Sequence, residues 1–75
     1  MNPRHKTERD KLRNMPVDEA GEYLRSKLPP NERDAIFYVD VMQESLRDVG
    51  WNHLNCEETT VKKYRQRGYT KLTKK

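Results

Sequence analysis

Residues 31–50 read NERDAIFYVDVMQESLRDVG, and within them Ile36, Val39, Met42, Leu46 and Val49 recur at spacings of three and four, which places them along one side of an α-helix. Asn31 with Asp34 three residues on has the form of a helix start, and Gly50 suits a helix end. Phe37, Tyr38 and Val41 lie beside that stripe, so the helix offers apolar surface over a wide arc. It is expected to be the central element, packed on both sides.

Working outward, Asn14-Met15-Pro16 is suited to cap and open a preceding helix in which Val17, Ala20, Leu24 and Leu28 share a face. Asp18, Glu19 and Glu22 lie near its positive end, and Pro29-Pro30 stops it. On the other side, Asn55 with Glu58 predicts a third helix running through Val61 and Tyr64 to Arg67, with Gly68 as a left-handed terminator. Tyr69 and Leu72 then fold back onto the core. The expectation is an all-α chain: a flexible charged arm over residues 1–13, one small three-helix domain over 14–72, and a basic tail over 73–75.

Seventy-five residues allow one domain with a thin core, since a chain of this size buries only about 60% of its unfolded surface. At 32% apolar and 37% charged the composition is near the disordered boundary, yet the apolar residues concentrate between Met15 and Leu72. Cys56, the single cysteine, has no partner for an internal disulfide. No apolar run approaches signal-peptide or membrane-spanning length, so a reducing cytoplasm is the expected location and no membrane contact is expected.

Charge is segregated along the chain. Residues 59–75 contain Lys62, Lys63, Arg65, Arg67, Lys71, Lys74 and Lys75 and no Asp or Glu, whereas residues 15–58 set four basic residues against ten acidic ones. Such a bipolar chain with net charge +4 points to a polyanionic partner, either nucleic acid or the acidic surface of a protein that works on it. A solvated basic end that only aids solubility is the plain alternative.

Catalysis finds little support. His53 and Cys56 are three residues apart, but zinc requires three or four ligands and only His5 and scattered carboxylates remain. Nothing supplies a pocket or oxyanion hole for Cys56 as a nucleophile, and a cysteine at a helix start serves packing. Asp18-Glu19 and Glu57-Glu58 occupy helix starts, where they favour the dipole. No glycine-rich phosphate loop is present. A non-enzymatic chain without catalytic residues, metal or cofactor is expected.

A basic last helix in a three-helix domain invites a helix-turn-helix reading, with Thr59, Thr60, Lys63 and Gln66 exposed and Val61 and Tyr64 turned inward. Two features oppose it. The connection from Gly50 to Asn55 is longer than the usual three or four residues, and the preceding helix is about twice the usual length. Glu57 and Glu58 also sit where such a helix would approach phosphate. Trp51, just after Gly50, is expected to fold across the core, with an interface anchor as the functional alternative; Phe37 and Tyr38 are weighed the same way.

The arm MNPRHKTERDKLRNM, the centre NERDAIFYVDVMQESLRDVGW and the basic end TTVKKYRQRGYTKLTKK together resemble small bacteriophage transcription regulators that bind host RNA polymerase. The resemblance covers most of the chain and rests on general character, so it carries over no individual residue. It implies binding near the amino terminus of the polymerase's beta-prime subunit, with inhibition of initiation and antitermination during elongation. From charge clustering, Lys62, Lys63, Arg65, Arg67 and Lys71 are the expected partner contacts, with Tyr64 and Tyr69 as apolar support and a DNA contact in addition. A monomer is expected. A DNA-binding regulator acting on an operator is the second reading, and a structural adaptor the third.

Overall fold

Asn2 and Pro3 open the first helix: the Asn2 side chain accepts a hydrogen bond from the Arg4 backbone N–H at 2.8 Å, and Pro3 occupies the first helical position, where its missing N–H costs nothing. The computed structural model describes residues 2–74; Met1 of the expected arm and Lys75 of the expected tail lie outside the described residues. Five α-helices follow one another: α1 (Pro3–Arg13), α2 (Val17–Lys27), α3 (Pro30–Ile36), α4 (Leu46–Val49) and α5 (Glu58–Thr73). Wider π-helical turns extend α3 through Phe37–Val41 and α4 through Gly50–Leu54. Among the described residues there is no strand, and the all-α expectation holds with more helices than three.

The expected flexible arm is instead α1. Its Leu12 is fully buried beside Ala20, Leu24, Leu28, Ile36 and Tyr69, so this segment supplies part of the main core. The Asn2-Pro3 start signal is present in the sequence, but the polar composition of 1–13 conceals that a single leucine anchors it. The second helix starts and stops where expected, with Leu28 extended before Pro29. Its cap is Pro16, without a side-chain hydrogen bond, and Val17 stays 49% exposed instead of joining the core.

The long central helix is broken. Pro29 and Pro30 start α3 in place of Asn31, and the chain leaves the helix at Met42, where Gln43 takes a left-handed conformation with φ 59°. Ser45 opens α4 by accepting from the Asp48 N–H at 3.1 Å, and Met42, expected in the core, is 47% exposed. Gly50 does not end the helical run, which continues to Leu54. Central placement nevertheless holds for α3. Its Ile36 enters the main core, and its neighbour Ala35 joins a second core with Val49 and Val61.

Asn55 terminates the preceding turn in the left-handed region, φ 52° and ψ 48°, and does not cap α5, which starts after Glu57. Gly68 is not a terminator. It lies inside α5, where a Cβ would come within 2.5 Å of Ile36 Cδ1, so its role is to let α5 approach α3. Tyr69 and Leu72 do reach the core, by continuation of the helix.

Candidate functional site

Between Ser45 and Thr73 the chain forms a helical run over Leu46–Val49 and Gly50–Leu54, a turn at residues 55–57, and helix α5. Three residues of turn, with Asn55 left-handed, is the usual length for the connection of a helix-turn-helix, and the run before it is short because the central helix is broken. Both geometric objections raised by the sequence are thereby removed. Close approach is built in: a Cβ on Gly50 would collide with the Cys56 carbonyl oxygen, and the Cys56 N–H donates to the Gly50 carbonyl at 2.9 Å. Behind the turn, Val49 and Val61 are fully buried, with Leu54, Cys56 and Tyr64 packed around them.

This packing decides which side of α5 faces solvent. Thr59, Lys62, Lys63, Gln66, Arg67 and Thr70 are exposed, and Val61, Gly68 and Tyr69 are buried. Of the residues expected at the interface, Lys62, Lys63 and Arg67 are exposed, as is Lys71, although its Nζ is held 2.9 Å from Glu32 Oε2. Thr60 is half-buried, and Glu57 and Glu58 remain exposed at the start of the helix.

Arg65, Tyr64 and Tyr69 are differently placed. Asp40 is fully buried, and Arg65 grips it with two hydrogen bonds, Nε to Oδ2 at 2.8 Å and Nη2 to Oδ1 at 2.7 Å. The Tyr69 hydroxyl also donates to Asp40 Oδ2, and Arg13 Nε donates to the Asp40 carbonyl at 3.3 Å. Asp40 thus ties the turn after α3 to α5 through its carboxylate and to α1 through its backbone carbonyl. Its hydrogen bonds raise the Arg65 pKa, while burial, followed by the bond to Asp40, raises that of Tyr69. Arg65 and Tyr69 serve the fold first, and Tyr64 packs into the second core.

Nothing local in the sequence marks Asp40 as a buried carboxylate. It lies four residues after Ile36, hence on the same face, but a carboxylate in an apolar stripe reads as an outward position; the compensating Arg65 is remote in sequence.

Trp51 reverses the leading expectation. It is 76% exposed on the turn Gly50–Leu54. Nearby on that turn, His53 stacks face to face on Tyr38, with ring centroids 3.6 Å apart, and places Nε2 3.1 Å from Glu44 Oε1. Tyr38 also meets Phe37 edge-on, and Phe37 is half-buried against the main core. Trp51 is thus the aromatic left bare, whereas Tyr38 and Phe37 are engaged within the fold.

Among the described residues no group of three or more His, Cys, Asp or Glu is placed to hold a metal ion, and no helix is long and apolar enough to cross a membrane. The sequence matches no family model and no curated protein, and the fold matches no solved structure.

Proposed function

We propose that this chain is a non-enzymatic transcription regulator of phage origin that binds host RNA polymerase, inhibits initiation and promotes antitermination. The observation that carries the reading is Trp51, 76% exposed on a domain whose core is thin and would gain from burying it. Tryptophan is the side chain most enriched among residues that dominate protein–protein binding energy. It stands on the turn that leads into α5, whose Lys62, Lys63 and Arg67 supply cations for an acidic surface. The likeness of the sequence to polymerase-binding phage regulators selects the partner, with the beta-prime subunit near its amino terminus as the docking region and the host cytoplasm as the location. Occupying a surface that another factor requires is enough to shift the polymerase between states, without chemistry by the chain itself.

In a purified transcription reaction the chain is expected to lower promoter-dependent initiation and to raise read-through at a terminator. Unchanged initiation and read-through at saturating protein contradict the proposal. Trp51→Ala should weaken polymerase binding by about 2 kcal/mol or more, roughly thirtyfold, without unfolding the domain.

A second reading, an operator-binding helix-turn-helix regulator, is favoured by one observation: the three-residue turn through left-handed Asn55, which presents Thr59, Lys63 and Gln66 on the open face of α5. It requires sequence-selective binding to duplex DNA, and a dimer on paired half-sites. Equal affinity for unrelated duplexes would count against it.

A further inference from the structure

Helix α1 does more than complete the core. Its first turn runs beside α5, and the two enclose an open groove of about 810 Å³. Arg4, Lys62 and Lys74 line it, Asn2 and Gln66 add neutral amides, and among the described residues no Asp or Glu lines it. Among the described residues none of these three cations is paired with a carboxylate, unlike Arg65, whose charge is neutralised by Asp40 at one wall of the groove. The His5 ring stacks on Tyr69 along another part of the lining, with centroids 5.7 Å apart and planes 24° from parallel.

From these features we infer that the groove between α1 and α5 binds the phosphodiester backbone of a nucleic acid. This goes beyond docking on polymerase and does not depend on the operator reading, which uses the adjoining side of α5 around Thr59 and Lys63 and shares only Gln66 with the groove. Length is the first argument. The α5 lining extends from Lys62 to Thr73, an axial distance of about 17 Å at 1.5 Å per residue. That is far longer than one small anion needs, and a nucleic-acid strand in a duplex presents a phosphate about every 3.4 Å along the axis. The second argument is chemical. Cations unpaired with carboxylates gain most from a ligand that carries a charge at every repeat and releases counterions on binding. Amides of Asn2 and Gln66 supply donors to phosphate oxygens between the charges.

The test is fluorescence anisotropy of the full chain with a labelled mixed-sequence 30-mer, as duplex and as single strand, across a salt series. Arg4→Gln combined with Lys74→Gln removes two groove cations that make no described side-chain contact with the core, and circular dichroism checks that the fold is retained. Wild-type protein should bind at least one of the two forms. For the double variant, the slope of log affinity against log salt should become shallower by about 1.8 with duplex or about 1.4 with single strand. Lys63→Gln with Arg67→Gln, which removes outer cations, separates the surfaces. Loss of slope in that variant alone, with the groove variant unchanged, overturns the groove and leaves the outer face as the binding surface. Failure of wild-type protein to bind either form in low salt also overturns it. So does groove-dependent binding of polyglutamate without nucleic acid, which would assign the groove to an acidic protein segment.

Discussion

At the residue scale, Asp40 has the most to lose. A carboxylate with no solvent exposure is tolerable only because Arg65, Tyr69 and Arg13 surround it, and removing one member leaves the others short of partners. Asp40→Ala is expected to cost about 3 kcal/mol, at the low end for a broken buried pair because the Arg65 side chain is 22% exposed and regains some water. Urea denaturation measures it, and a loss below 1 kcal/mol would show that the network is incidental. The tyrosines give a pH dependence of definite sign. Burial, with a hydrogen bond to Glu8 second, pushes the Tyr23 phenol from 10.0 up to about 12, and Tyr69 is raised further for the same leading reason. A raised phenol pKa means the fold favours the neutral form. Their contribution is therefore complete below pH 10 and is lost as pH rises through the folded values. The urea midpoint should fall progressively between about pH 10 and 12, and Tyr23→Phe should shrink that fall.

At the scale of elements, what the sequence makes legible depends on whether a signal is local. Pro29-Pro30 ends α2 because proline excludes a continuing helix whatever surrounds it, and the stripe Ala20, Leu24, Leu28 lies in the core as its spacing requires. The glycines at 50 and 68 carry no such certainty. Each suits a helix end as well as a close approach between helices, and only the tertiary neighbours, the Cys56 carbonyl and Ile36, distinguish the two. The break at Met42 is hidden likewise, since Met42-Gln43-Glu44 contains no proline or glycine and Gln43 adopts positive φ against its own preference. The two glycines should respond unequally to substitution. Gly50→Ala places a methyl against backbone that cannot rotate away, for an expected loss of about 1–3 kcal/mol. Gly68→Ala meets the flexible end of Ile36 and regains about 1 kcal/mol of helix propensity, so its loss should be the smaller. Equal thermal shifts would contradict the close approach assigned to Gly50.

For the whole molecule, segregated charge in the sequence becomes a surface with direction. The described cations of α5 and its end divide between an outer face at Lys63 and Arg67, a groove wall at Lys62 and Lys74, and the intramolecular pairs of Arg65 and Lys71. Charge clustering therefore locates the cationic helix but not which of its residues are free, because that depends on Asp40 and Glu32 brought in from α3 and its extension. Trp51 remained ambiguous for a related reason: a tryptophan after a glycine packs inward or stands out according to a chain path that composition does not specify. Charge reversal by Lys62→Glu with Lys63→Glu should preserve the fold, since both side chains are exposed, and lower affinity for an acidic partner at least tenfold at low salt, with a smaller difference at high salt.

The central claim is a direct protein partner in the transcription machinery. Size-exclusion chromatography of the full chain with nuclease-treated bacterial RNA polymerase tests it most directly. Stoichiometric co-elution that survives nuclease and is lost on Trp51→Ala is the predicted result. Elution of the wild-type chain apart from polymerase, with binding retained only to bare duplex DNA, would contradict it and leave the operator-binding reading in its place.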